Sequence, residues 1–428
     1  MSVPHTQSAD NEPGTSLKGH RDFRRLWAAD AVSQTGAQLA DFAIPVLAVV
    51  SLGATPFQVG LLDASHTIAF LLISLPAGAY LDRMRKRPVM QAANLMRALA
   101  LLLIPIAHFA GCLSFGVLLA SATVVGLTSV LFDTSYAGYL LPLVGSERLT
   151  AASSRLQATN SVAQIGGPAI AAHLVRIVAT PVILLFTALS FVVSTLFLSR
   201  IAMVETVNPP KDKQKLWPDI VAGLSLIRKQ PVIRSITAST FVLNAVMGAE
   251  SAVLAIYVLR DLALGTTALG VFLSAGAIGG LLGAAFANRI SEKVGSARVV
   301  TASALLFSPA FLLLAFGGNT GGLAVVLVGA SLFVRSFAVV LFNICSGALR
   351  QRTTPKDMLS RVAASNRFIT WGIIPVGSLV GGALGESLGA HGVLWVAALV
   401  SVLIPLPILL SPLRKLRVFP KEWDVHAS

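Results

Sequence analysis

Ile68-Ala-Phe-Leu-Leu-Ile-Ser-Leu-Pro-Ala-Gly78-Ala-Tyr-Leu-Asp82-Arg83-Met-Arg85-Lys86-Arg87 holds the pattern on which the whole chain is built: an apolar run that ends abruptly in a basic cluster. A helix needs about 20 apolar residues to cross the hydrocarbon of a bilayer. Lys and Arg collect in the connections that stay on the cytoplasmic side, because translocating them is costly. Reading outward from this stretch, twelve apolar runs appear, at 27–51, 57–81, 89–110, 114–141, 160–178, 182–201, 234–259, 267–288, 298–316, 322–345, 368–389 and 391–411. All but four of the 33 Lys and Arg fall in alternate gaps between them, the exceptions being Arg97, Arg176, Arg260 and Arg335. The intervening gaps, such as Ser51-Leu-Gly-Ala-Thr-Pro56 and Gly317-Gly-Asn-Thr-Gly-Gly322, are almost uncharged. The pattern predicts an all-α membrane protein with twelve transmembrane helices and both termini cytoplasmic.

A chain that is 55% hydrophobic and 12% charged could not hide its apolar surface in water, whereas lipid requires that excess. Its net charge of +14 follows from connections that face anionic lipid, so it is no footprint of nucleic acid. The polar first 18 residues lack the core of a cleavable signal, and the first apolar run is expected to target the chain to the membrane. Cys112 and Cys345 fall on opposite sides of the bilayer, too far apart for a disulfide.

The second half repeats the first with a shift of about 210 residues. Glu147-Arg-Leu-Thr aligns with Asp357-Met-Leu-Ser, Gly167-Pro-Ala-Ile-Ala-Ala172 with Gly377-Ser-Leu-Val-Gly-Gly382, and Gln58-Val-Gly-Leu with Ala268-Leu-Gly-Val. Six is an even number of crossings, so both copies enter from the same side and form a parallel pseudo-repeat about an axis normal to the membrane. The expected organisation is an N-terminal tail (1–22), a six-helix bundle (23–204), a cytoplasmic linker (205–231), a second six-helix bundle (232–416) and a C-terminal tail (417–428). Within the linker Ile220, Leu224 and Ile227 share one helical face, ahead of Arg228 and Lys229, which suggests a helix lying on the membrane surface.

Gly78-Ala-Tyr-Leu-Asp82-Arg83-Met-Arg85-Lys86-Arg87, between the second and third spans, resembles the signature Gly-x-x-x-Asp-Arg-x-x-Arg-Arg/Lys of the major facilitator superfamily. Phe23-Arg-Arg-Leu-Trp27, Phe132-Asp133-Thr-Ser-Tyr136, Leu149-Thr-Ala-Ala-Ser-Ser-Arg155, Gly167-Pro168 and Leu349-Arg-Gln-Arg-Thr-Thr-Pro355 resemble its drug:proton antiporter branch, which includes macrolide exporters and the enterobactin exporter. The resemblance implies alternating access between two six-helix bundles, with a proton gradient as energy source and no cofactor or metal. It implies gating by Gly78, Asp82, Arg83 and Arg87 at the cytoplasmic turn and by Gly167 and Pro168 on the fifth helix. The fifth helix reads Gln164-Ile-Gly-Gly-Pro168, with fewer glycines than the fuller antiporter signature. In the second half the loop signature survives only as Asn288-Arg289, so the cytoplasmic latch is expected to be asymmetric.

Ionisable residues inside a bilayer are expensive and normally face water, a partner or a substrate. Asp41 and Glu250, 209 residues apart, lie near the middles of the first and seventh spans. By family resemblance those spans line the central cavity, so both acids are candidates for proton carriage or for a cationic group of the cargo. The alternative is that each is a satisfied interhelical hydrogen-bonding group. Arg335, near the middle of the tenth span, either alternates between Glu250 and the cargo or Asp41, or forms a permanent ion pair. Asp63 and His66 share a face of the second span and suit a proton relay or a fixed hydrogen bond. Arg97 and Asp133, at similar depths in adjacent spans, are read as neutralising each other first and gating second. Gln38 and Asn244 are polar candidates, with Phe42, Phe241 and Tyr257 as apolar cavity wall.

A roomy apolar cavity with few charges favours an amphipathic small molecule over a sugar. The sequence has no His-Glu-x-x-His, no Gly-x-Ser-x-Gly and no phosphate-cradling glycine loop, which argues against an enzyme or an ATP-driven pump. The reading is a proton-coupled exporter of a drug, macrolide-like or siderophore-like molecule, working as a monomer in a bacterial plasma membrane. Proton-linked import or facilitation of a metabolite uses the same scaffold and stays open, and a non-transporting membrane protein is disfavoured by the midplane acids.

Overall fold

The computed structural model describes residues 17, 19–81, 84–145, 147–203, 205, 216–319, 321–355 and 358–416. Its α-helices are α1 (Arg21–Val50), α2 (Pro56–Leu81), α3 (Lys86–Phe109), α4 (Phe115–Val144), α5 (Leu149–Ile177), α6 (Thr180–Ser199), α7 (Leu216–Lys229), α8 (Pro231–Ile256), α9 (Gly265–Val294), α10 (Ser296–Phe316), α11 (Ala324–Thr353), α12 (Leu359–Ser401) and α13 (Leu406–Leu409). Crossings are supplied by α1 to α6, α8 to α11 and the two limbs of α12. Those limbs meet at Gly389, whose φ of 72° and ψ of 168° are open only to glycine, so the chain reverses without a loop.

Several helices run past the apolar stretches at the basic end. α5 starts at Leu149 rather than at 160, α11 continues to Thr353 beyond 345, and α12 starts at Leu359 rather than at 368. Hydropathy marks where hydrocarbon begins, whereas a helix satisfies its own backbone and can continue into polar surroundings. The twelfth crossing departs from expectation in another way. The 391–411 stretch reads as one helix, but α12 stops at Ser401 and α13 resumes at Leu406, because Pro405 and Pro407 bring no N–H. Hydroxyls from neighbouring helices take up the freed carbonyls: Ser308 Oγ donates to Ser401 O at 3.0 Å and Ser239 Oγ to Ile404 O at 2.7 Å.

In the linker, Gly223 of α7 packs against Arg361 and Ser365 of α12, and Ile227 is buried with Ile233 and Val362. Val221 and Leu224 face outward. The apolar face expected for Ile220, Leu224 and Ile227 is therefore split, Ile227 serving the second bundle and Leu224 the surroundings, while the Ile220 side chain lies outside the described residues.

In the first half α1 packs on α5 and α6, α2 on α4, and α3 on α4 and α6; in the second α8 packs on α12, α9 on α11, and α10 on α11 and α12. Between the halves α2 meets α12 and α8, and α5 meets α9. The 210-residue shift carries one of these seams onto the other, since Gly60 maps to Gly270 and Pro168 to Ser378. A Cβ on Gly60 would lie 2.4 Å from the Ser378 carbonyl oxygen, and one on Gly270 would lie 2.7 Å from that of Pro168. Equivalent glycines thus let equivalent backbones touch, as a two-fold pseudo-axis normal to the membrane requires.

Candidate functional site

Two adjoining chambers open beside α1. One, of about 290 Å³, is lined by Asp41, Asp63, His66 and Ser251 among others; the second, of about 190 Å³, adds Gln34, Gln38, Arg97 and Asp133. Asp41, His66 and Val125 line both. Asp41 is exposed to this space, and among the described residues its carboxylate has neither a hydrogen bond nor an ion pair. Gln38 is set by close packing, because a Cβ on Gly167 would fall 2.4 Å from its Cβ. Gly167 thus serves α1–α5 contact, while Pro168 serves the seam with α9.

On the side of the uncharged connections the chambers are capped by cross-half bonds. Asp63 Oδ2 accepts from Ser251 Oγ at 2.8 Å and from Ser378 Oγ. Phe57 N–H donates to Glu386 Oε1 at 3.2 Å, and Arg260 Nη2 donates to Val49 O at 2.8 Å. That last bond accounts for one arginine outside the basic gaps, since a cation belongs beside the carbonyl end of α1; Arg176, in the last turn of α5, follows the same rule. The halves are closed at the neutral end, and the chambers continue past Gln34 to an exposed Asp133 toward the basic end.

Glu250 does not join Asp41. It is 2% exposed, packed inside the second half, and ion-paired with Arg335, itself 8% exposed and lying beside the ring of Phe311. The two acids share a depth but not a face. One residue turns a helix by about 100°, and the repeat shift of 210 maps Asp41 onto Ser251, which does line the cavity. An Arg335–Glu250 ion pair is therefore the arrangement in this conformation, and the expectation of two carboxylates in one aqueous site is corrected. Phe42 and Tyr257 are likewise buried rather than cavity-lining, the Tyr257 hydroxyl donating to Leu314 O at 3.1 Å, whereas Phe241 is exposed. Asn244 Nδ2 donates to Thr370 O, tying α8 to α12 within the second half.

Arg97 and Asp133 line the same chamber without forming an ion pair within 4 Å among the described residues. The neutralising contact read from their depths is replaced by bonds from Arg97 to Asn94 and Thr128. Arg87 clamps within the first half: its Nη1 donates to Ile201 O at 2.6 Å and its N–H to Glu205 Oε1 at 2.7 Å. The Glu205 carboxylate thereby caps the start of α3, where a negative charge is favourable. Gly78 lies on α2; Asp82 and Arg83 lie outside the described residues. Among the described residues no group of three His, Cys, Asp or Glu is placed to hold a metal ion. Ser251, Ser378, Gly60 and Gly270 escaped the sequence reading as functional positions, although the Gly60–Gly270 match marks the repeat and was the available signal.

Two six-helix halves around a cavity sealed at one end define a membrane transporter of the alternating-access kind. The family model for the Major Facilitator Superfamily matches residues 26–376 and, a second time, 251–427, and the chain belongs to that superfamily. It is 26% identical over 388 residues to the uncharacterized MFS-type transporter YfiS of Bacillus subtilis (strain 168), covering 87% of this chain and 89% of that protein. Among solved structures it is similar to a bacterial homologue of the iron transporter ferroportin in its inward-facing state, with 17% identity, a TM-score of 0.76, and coverage of 96% and 100% of the two chains. Against an outward-facing structure of a bacterial ferroportin homologue the TM-score is 0.60, at 18% identity and coverage of 91% and 98%.

Proposed function

We propose that this protein exports a small amphipathic solute in exchange for protons, as the drug:proton antiporter branch does, in a bacterial plasma membrane with the basic face cytoplasmic. The observation that carries the reading is the Asp41 carboxylate, which stands at the junction of both chambers with no ion pair within 4 Å among the described residues. A carboxylate in a water-poor wall is stabilised either by a proton or by a cationic group of the cargo. Because one group cannot hold both, loading one expels the other, which is the physical requirement for exchange. Glu250 and Arg335 are ion-paired with each other inside the second half, and neither lines the two chambers. Chambers of about 290 and 190 Å³ lie at or below the lower end of the roughly 300–1,000 Å³ usual for ligand sites, which favours compact solutes over macrolide-sized ones.

Proteoliposomes with an imposed pH gradient test the assignment. Wild-type protein is expected to move a transported amine against its own gradient, and Asp41→Asn to abolish that gradient-driven transport. Full gradient-driven transport by the Asn variant would refute the role of Asp41. Flux indifferent to collapse of the pH gradient would refute coupling altogether.

A further inference from the structure

Two arginines are buried inside apolar crossings, and their surroundings differ. Arg335 has a carboxylate partner. Arg97, 6% exposed, has none within 4 Å among the described residues. Its Nη1 donates to Asn94 Oδ1 at 3.4 Å and its Nη2 to Thr128 O at 3.3 Å, both beyond the usual 2.7–3.2 Å range, and its Nε has no acceptor. The rings of Phe132 and Phe191 lie 4.9 and 5.4 Å from Cζ, which stabilises the cation without satisfying its N–H groups. A guanidinium carries five donors in a fork that fits a carboxylate, and this one forms part of the wall of the smaller chamber.

The same wall carries Asp41 and Asp133. A purely cationic solute would leave Arg97 under-satisfied, and a purely anionic one would meet two carboxylates. A solute with both signs gives Arg97 a carboxylate and Asp41 an ammonium, and leaves Asp133 to solvent at the exposed end of the chamber. We infer that the cargo is a compact zwitterion, its carboxylate held by Arg97 and its ammonium by Asp41, with an apolar body in the larger chamber. The inference rests on reading the cavity as the cargo site and adds the charge class that this site selects.

Calorimetric titration of the purified protein in lipid nanodiscs, using three probes on one apolar scaffold, provides the test. The probes are 3-(2-naphthyl)alanine, its methyl ester and its N-acetyl derivative, which are zwitterion, cation and anion. The zwitterion is expected to bind at least about tenfold more tightly than either analogue, the effect of one well-made charge pair. Arg97→Gln is expected to lower zwitterion affinity to that of the ester and to leave ester binding unchanged. Arg97→Lys, which keeps the charge and loses the fork, is expected to retain part of the preference and serves where the Gln variant is not monodisperse. Equal binding of zwitterion and ester by wild-type protein, or equal weakening of all three probes by Arg97→Gln, overturns the inference and leaves the proposed exporter standing. Binding of none of the three would remove the cargo-site reading as well.

Discussion

Replacing Gly60 with alanine should push the two halves apart at the neutral end. The added Cβ would sit 2.4 Å from the Ser378 carbonyl oxygen and 3.3 Å from the Ala252 Cβ. Carbon–oxygen contacts settle at about 3.3–3.6 Å, so α2 and α12 must separate by about 1 Å. Within a static core such overpacking costs roughly 1–3 kcal/mol. Here the strain is relieved by opening the seam, so that cost becomes a bias between conformations, about 5- to 150-fold toward the state open at the neutral end. Gly270→Ala should act alike, since its Cβ would fall 2.3 Å from that of Ala172, and Gly347→Ala, with nothing within 4 Å, should not. Spin labels on Ser51→Cys and Thr267→Cys, with Cys112 and Cys345 replaced by serine, would report the separation of the two neutral-end connections. A growing long-distance population in Gly60→Ala and Gly270→Ala, and none in Gly347→Ala, is the expected result. Distance distributions identical to wild type in both seam variants would refute the idea that these glycines set the closed state.

Glu250→Gln should lower thermal stability by about 3–5 kcal/mol, because it leaves the buried Arg335 charge uncompensated, whereas Glu250→Gln combined with Arg335→Met should recover most of the loss. Equal melting temperatures for single and double variants would mean that the pair is not locked in the folded state. Ser378→Ala removes one hydroxyl from the Asp63 carboxylate, worth about 1.5–3 kcal/mol for a bond to a charged group, and should open the same seam in the spin-label assay. Its effect should not add to that of Gly60→Ala, since both act at one contact.

Composition and charge alternation were enough to read the twelve crossings, because they follow from what lipid excludes from its interior, and the motifs aligned at a shift of about 210 residues were enough to read the internal duplication. The arginines that broke the pattern were legible as exceptions but not as contacts. Arg260 needed the end of α1 brought beside it, and Arg97 needed the ring pair and the chamber wall. Depth in the membrane could be counted from the loops, and on depth alone Asp41 and Glu250, or Arg97 and Asp133, are natural partners. The face each side chain presents could not be counted, since a one-residue difference in register turns a side chain by about 100°. Sequence by itself determined that this protein is a duplicated twelve-crossing transporter with few midplane charges. Tertiary structure alone decided that Ser251 rather than Glu250 shares the cavity with Asp41, that Asp63 bridges the halves, and that Arg97 faces the chamber with no carboxylate within 4 Å among the described residues. The reason is that helical phase and close backbone approach, which a hydropathy profile averages away, select among side chains of equal depth.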